Sequence, residues 1–215
     1  IQNGGQSRPF EIKASQYERE RHYFLSQFFR ERYDAALRNL PTVQSGVEIR
    51  RLEVYVTNDN RTSENLRNVV ALQDVGEPRR LYRGRFQKDA GPNAAAQNSA
   101  NTLLSQVLTG PGATRADLQI DSYLENSLGL QKTIDYEHIR ARKLNPTEYT
   151  FNAQLGYLSL NTQLLPEQVL GVSYEYLYNG KVYKVGETVD DYGPTAGQND
   201  VIFLKLLKAT NPAVG

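Results

Sequence analysis

The chain has 215 residues, enough for one large domain or two small ones with a core that needs no covalent staple. It contains no Cys, which excludes thiol catalysis, disulfide frameworks and Cys-based zinc sites and leaves the redox compartment unread. With 25 Lys+Arg against 24 Asp+Glu, no net field argues for nucleic acid or an anionic membrane as partner.

The absence of Met and the polar start IQNGGQSRP point to a segment of a longer chain, with no signal peptide before Ile1. Residues 1–14 are Gly-rich and polar and read as a flexible linker into a domain over residues 15–215. Ser15 and Glu18 form a capping-box pattern, and Tyr17, Phe24, Leu25, Phe28, Phe29, Tyr33, Ala36, Leu37 and Leu40 recur at helical spacing until Pro41. This predicts a long amphipathic helix from Ser15 to Leu40, laying Phe28, Phe29 and Leu37 on a sheet.

Residues 46–58, GVEIRRLEVYVTN, predict a strand. Val47 and Ile49 share one parity and Leu52, Val54 and Val56 the other, so a bulge is expected at Arg50-Arg51. A second strand is expected from Asn68 to Val75, ended by Gly76-Glu77-Pro78. Next comes the one basic cluster, Arg79, Arg80, Arg83 and Arg85 with aromatic residues between. A charged, solvated edge strand explains it better than a nucleic-acid groove.

A short helix is expected over Leu103, Leu104, Val107 and Leu108, stopped by Gly110-Pro111-Gly112. A further helix follows from a Thr114/Asp117 capping box through Leu118, Tyr123, Leu124 and Leu128 to Gly129. The Gly-Pro-Gly joint at 110–113 leaves two lobes as an option. Residues 134–144 turn strand-like again.

The most informative stretch runs from Glu148 to Glu187 and reads as successive antiparallel strands. At its centre, Asn179-Gly180 is a two-residue hairpin turn that sets the register: Tyr178 faces Lys181, Leu177 Val182, Tyr176 Tyr183, Glu175 Lys184 and Tyr174 Val185. The face carrying Val172, Tyr174, Tyr176, Tyr183 and Val185 is expected to be buried. The other, with Ser173 and a Glu175/Lys184 pair, is expected to be mostly wet. Asp190 to Gly197 reads as a loop and Asp200 to Ala209 as a last strand. The fold class expected is α+β: a mainly antiparallel sheet with the long N-terminal helix and two shorter helices packed on it.

The chemistry is sparse. No phosphate loop, nucleophile elbow, His-Glu-x-x-His or Gly-x-Gly-x-x-Gly pattern is present. His22, in the helical stretch, and His138 stand without metal-ligand spacing, so neither a metal nor an organic cofactor is expected. Asp190-Asp191 suits turn chemistry better than a calcium site or a glycosidase pair. The candidate partner-contact residues are Arg79, Arg80, Arg83, Arg85, Asp190, Asp191 and Tyr192.

The blocks SQFFRERYDAALRNLP, GVEIRRLEVYVTN, NVVALQDVGE, YEHIRARKLNPTEYTFNAQLGYLSLNTQLLPEQVLGVSYEYLYNGKVYKVGE and FLKLLKATNP resemble, in that order, the SprA/Sov family over residues 20–212. These are giant outer-membrane proteins of type IX secretion, required for gliding motility in many gliding bacteria. The resemblance implies a non-enzymatic soluble cap or plug of a large protein-conducting barrel at the cell surface, on its extracellular side rather than the periplasmic one. Its partners would be other parts of the parent barrel, secreted cargo and accessory secretion proteins. The family supplies no catalytic residues. Lipid-facing strands of about ten alternating residues are missing here, so this segment would not form the barrel wall. Two other readings compete: a carbohydrate-binding module, which needs exposed coplanar tyrosines, and a hydrolase, which needs converging carboxylates in a cleft.

Overall fold

The computed structural model describes residues 20–58, 66–89, 91, 94–194 and 196–212. The expected linker over 1–14 and the capping box at Ser15 and Glu18 lie outside the described residues. In chain order the elements are β1 (His22–Phe24), α1 (Gln27–Ala36), β2 (Val47–Thr57), β3 (Leu66–Leu72), a 3-10 turn (Gly84–Phe86), α2 (Leu103–Thr109) and α3 (Asp117–Asn126). There follow β4 (Tyr136–Lys143), β5 (Tyr149–Asn152), β6 (Tyr157–Leu160), β7 (Leu170–Tyr178), β8 (Lys181–Val185), α4 (Val189–Tyr192) and β9 (Val201–Lys208).

Five strands close on themselves in the order β2-β4-β3-β9-β7, with β7 returning to β2. β3 and β9 run parallel; the other four contacts in the ring are antiparallel. Strand β8 extends β7 beyond the ring, and β1, β6 and β5 form a separate small sheet. The expected α+β sheet with helices packed on it is therefore wrong. The chain is mostly β, and a closed barrel hides the edges that an open sheet would expose.

The long helix is the largest error. Among its described residues only Gln27–Ala36 is α-helical, while His22–Phe24 pairs with β6 as strand β1. Tyr23 and Phe24 suit a pleated, half-buried surface, and pairing with β6 overrides a spacing that also fits a helix. Ser26, with extended backbone at φ −163 and ψ 167, then starts α1. The inward phase was read correctly for Phe28 and Phe29, which are buried, whereas Leu37 is half-buried at the helix end. The two rings pack on Tyr174, Tyr176 and Tyr178 of β7 at centroid distances of 5.1–5.9 Å.

Alternation along the ring strands sorts the core into two clusters. One holds Tyr55, Val69, Ala71, Ala141, Val169, Ile202, Leu204 and Leu206. The other holds their alternates, among them Val54, Val70, Tyr136, Val172, Tyr174 and Phe203, together with the buried residues of α1, α2 and α3. Helices cannot fit inside a five-stranded ring, so the second cluster lies on the outer face and the first fills the lumen. Such a narrow lumen favours small side chains. At Gly171 even a Cβ would sit 3.3–3.4 Å from Leu204 and Ala71 side-chain atoms.

The bulge expected at Arg50-Arg51 is present as a register shift between Ile49 and Arg51. The hairpin register agrees at all five pairs, and Asn179 and Gly180 take positive φ of 48 and 75. Its Val172/Tyr174/Tyr176 face is buried under α1. The opposite face is drier than expected, because Ser173 is wholly enclosed. Gly110-Pro111-Gly112 does end α2. Helix α3 begins at Asp117 rather than at Thr114, whose hydroxyl accepts from the Ala116 N–H instead. The later start turns Ile120, Tyr123 and Leu124 inward and leaves Leu118 in solvent. His138, on β4, is held between two α3 carboxylates, Asp117 (Nε2–Oδ1 2.8 Å) and Asp121 (Nδ1–Oδ1 2.9 Å).

Candidate ligand groove

Beyond Leu72, β3 gives way to a turn whose Asp74 organises the following segment. Its carboxylate accepts the backbone N–H groups of Tyr82 (2.9 Å) and Arg83 (2.8 Å). Buried Asn101 donates to the carbonyls of Asp74 (2.7 Å) and Glu77 (2.9 Å), so the turn is fixed from both sides. Between this segment, the start of α1, strand β1 and the end of β9 lies a groove of about 1020 Å³. Phe24 and Tyr23 line one wall, Leu81 and Tyr82 another, and Glu77, Ser26 and Lys205 the floor.

The floor is a buried ion pair. Lys205 Nζ lies 3.0 Å from Glu77 Oε1, with both side chains 6% exposed or less. Lys205 also donates to the Gln73 carbonyl, and Oε1 accepts the Gln27 N–H of the first turn of α1 at 3.2 Å. Glu77 Oε2 is buried with no hydrogen-bond partner, and so is Ser26 Oγ. Below them the Tyr174 phenol donates to the Leu25 carbonyl at 3.3 Å. Burial, reinforced by the Glu77 charge, pushes its ionisation far above the usual phenol range, although the nearby Ser26 hydroxyl opposes this slightly.

The seven residues singled out in the sequence do not assemble into one site. Arg79 Nη2 and Arg80 Nε reach Glu31 of α1 at 3.4 and 3.3 Å. Arg83 Nε bonds Asp135 Oδ1 at 2.8 Å, and Arg85 stacks its guanidinium 4.7 Å from the Phe86 ring centroid. This segment is a bent arm with a 3-10 turn, not the edge strand expected. Its charges are spent largely on internal acids, and Arg80 alone of the four lines the groove.

Asp190, Asp191 and Tyr192 lie on α4, which was read as loop. Thr188 caps it, with Asp191 closing the capping box, and Tyr192 enters the lumen cluster. Helix α4 thus closes one end of the barrel. Tyr192 shares a 2.9 Å hydroxyl–hydroxyl bond with Tyr55, Asp191 pairs with Lys184 (2.8 Å), and Asp190 with Arg51. Among the described residues no hydrogen bond or ion pair joins this set to the arginine set.

Glu77 and Lys205 were missed, though both leave a trace in sequence. Lys205 interrupts the apolar run of VIFLKLLK, and Glu77 sits in the Gly-Glu-Pro that ends β3. A lone charge facing the apolar side of a buried strand demands a partner. As for the hairpin tyrosines, Tyr174 and Tyr176 are buried in the core, whereas Tyr178 and Tyr183 are half-buried. Among the described residues no group of three or more His, Asp or Glu is placed to hold a metal ion. Compared with known proteins, the chain matches no family model and no curated protein.

Proposed function

We propose that this chain is a soluble structural and interaction domain of an outer-membrane protein-secretion translocon, a piece of the cap or plug of a type IX secretion barrel. The observation carrying this reading is the ordered series of blocks that resembles the SprA/Sov family. Those blocks fall on α1 and β2, on β3, on β4 through β8, and on β9, so they include every strand of the ring. A closed barrel with buried lumen suits a rigid body that blocks passage and presents loops to neighbours. No helix among the described residues is long and apolar enough to cross a membrane.

In this role the domain contributes shape and contacts rather than chemistry. Its partners are other parts of the parent barrel, secreted cargo and accessory secretion proteins, and its place is the extracellular side of the outer membrane. Of the candidate contact residues, Arg80 and Asp190 present strongly exposed side chains, 72% and 74%. In-frame deletion of residues 20–212 from the parent gene tests the proposal. Secretion and gliding should fail while the truncated product still reaches the outer membrane. Normal secretion and motility in such a strain would overturn it, and labelling of the domain only in permeabilised cells would overturn its extracellular placement.

A further inference from the structure

We infer that His138 is a proton-operated clasp for helix α3: with both ring nitrogens protonated it ties Asp117 and Asp121 to strand β4, and on losing one proton it lets go of Asp121 and loosens the helix. This inference is independent of the secretion proposal and stands on the geometry between α3 and β4.

The first observation is a count of donors. His138 Nδ1 lies 2.9 Å from Asp121 Oδ1 and Nε2 lies 2.8 Å from Asp117 Oδ1, with the side chain 13% exposed. An ionised carboxylate only accepts, whereas a neutral imidazole carries one N–H and one bare lone pair. Both contacts are therefore hydrogen bonds only when the ring is an imidazolium. In the neutral ring one of them sets a lone pair against a carboxylate oxygen, at a site largely shielded from water. The two carboxylates meet the ring only in the folded chain, so the folded state holds this proton in preference to the unfolded one. The stabilisation is complete below the ordinary imidazole value of about 6.5 and is lost as pH rises past it and the folded ring gives up its proton.

The second observation decides which bond breaks. Asp121 has a further cation, because Lys132 Nζ donates to its Oδ2 at 2.6 Å. Burial works against ionisation of Asp121, yet Lys132 and His138 outweigh it and hold the carboxyl below the usual aspartate range. Asp117, the first residue of α3, has no side-chain hydrogen-bond partner among the described residues other than the ring. The single N–H of a neutral ring is thus best used on Asp117, and the bare Nδ1 is left against Asp121, whose charge Lys132 still balances. The remaining groups around the ring take no part in this titration. Tyr136, on the same face of β4, donates to Glu125 Oε1 at 3.1 Å, and burial pushes its ionisation far above the usual phenol range. Arg140, next on that face, keeps its charge throughout, and β3 sets uncharged Asn68, Val70 and Leu72 across from Arg140, His138 and Tyr136. What the clasp holds down is the apolar side of α3, with Ile120, Tyr123 and Leu124.

The test compares urea unfolding of the whole chain at about pH 6 and about pH 8.5 with that of His138→Gln and Asp121→Asn, alongside nitrogen NMR spectra of the parent's imidazoles. At the lower pH both ring nitrogens of His138 should carry protons. Between the two pH values the folding constant of the parent should fall about tenfold further than that of His138→Gln, the loss of one hydrogen bond to a charged group. His22 is present in all three chains and cancels. Asp121→Asn offers a carboxamide N–H to a bare Nδ1, so it should cut the extra fall to less than about twofold. Amide exchange locates the effect: protection over residues 120–126 should drop at the higher pH by more than protection over α2. A ring with a single N–H at the lower pH, a fall no larger than that of His138→Gln, an Asp121→Asn variant as pH-sensitive as the parent, or equal loss of protection in α2 and α3 would each overturn the inference. The spectra and the exchange need the parent alone, so failure of a variant to fold leaves both measurements decisive.

Discussion

Glu53 and Glu77 are both nearly sealed from solvent, at 3% and 4% exposure, yet they are held in opposite ways. Glu53, where α4 closes the barrel, has both oxygens occupied. Arg51 reaches Oε1 through Nη2 (2.7 Å) and Nε (2.9 Å); Tyr55 OH (3.0 Å) and Lys143 Nζ (3.1 Å) reach Oε2; and the Val189 N–H at the start of α4 donates to both. Glu77, on the outer wall beneath α1, uses one oxygen and leaves the other bare. A fully engaged carboxylate fastens an element on both oxygens; a half-engaged one leaves a buried acceptor without a donor. The difference separates a fully satisfied corner from a half-satisfied one although the residue type and burial are the same.

The strongest way to break the comparison is to remove the Glu53 side chain. Glu53→Ala leaves Lys143 without its acid, removes one of two partners from each of Arg51 and Tyr55, and frees the start of α4. It should destabilise the protein by about 3–5 kcal/mol, the range for breaking a buried ion pair from one side. Urea unfolding with an unchanged m-value measures it, and a cost below about 1 kcal/mol would show that the corner is not a fastening.

Next in size is Phe28→Ala. If α1 is held over the groove by its rings and not by the Gln27–Glu77 bond, truncating Phe28 should cost about 3 kcal/mol. It loses contacts with Phe29, Tyr176 and Tyr178, and with the Arg32 guanidinium 3.9 Å from its ring centroid. The same unfolding assay reads it, and a loss under about 1 kcal/mol would assign the anchoring of α1 to Glu77.

A smaller net effect is expected from replacing Glu77 and Lys205 together. The Glu77→Leu/Lys205→Met double variant should lie within about 1 kcal/mol of the parent, since a buried pair can be exchanged for apolar residues at little cost, while each single change costs several kcal/mol. A double-mutant cycle gives the coupling. A double variant as unstable as the sum of the singles would mean that the pair is structural, like the Glu53 corner.

How much of this was readable in the sequence depends on whether local geometry decided it. The Asn179-Gly180 register and the Arg50-Arg51 bulge follow from a two-residue turn and from a change of parity, both contained within one or two strands, and both are as expected. Barrel closure was not legible: it rests on β2 meeting β7 and on β3 meeting β9, pairings between segments more than 100 residues apart. The same holds for His22–Phe24, whose strand state depends on β6. The arginines of residues 79–85 were visible as a cluster, but their acids, Glu31 and Asp135, come from α1 and from the segment before β4. Composition could not show that these charges are matched inside the fold. Helix α4 was within reach, because Thr188 and Asp191 are a capping-box pair of the kind recognised elsewhere in the chain.

The smallest effect concerns pH and belongs to the rim of the Glu53 corner. Burial works against ionisation of the Asp191 carboxyl, yet the Lys184 ammonium (2.8 Å) and the N–H and hydroxyl of Thr188 outweigh it and hold the group below the usual aspartate range. A carboxyl depressed in the folded state favours folding above its unfolded pKa of about 3.9, and that contribution is lost as pH falls through the lower folded value. Stability should therefore be flat from neutral pH to about 5 on this account and decline below about 4. With side chains 33% and 34% exposed, the Lys184–Asp191 pair is solvent-screened, so the contribution should stay under about 1 kcal/mol. Asp191→Asn removes the titrating group but keeps a side-chain oxygen for the Thr188 N–H. Unfolding free energies of parent and variant should differ at pH 6 and converge toward pH 3. A constant offset across that range would assign the Asp191 contribution to the cap alone and leave the Lys184 pair without energetic weight.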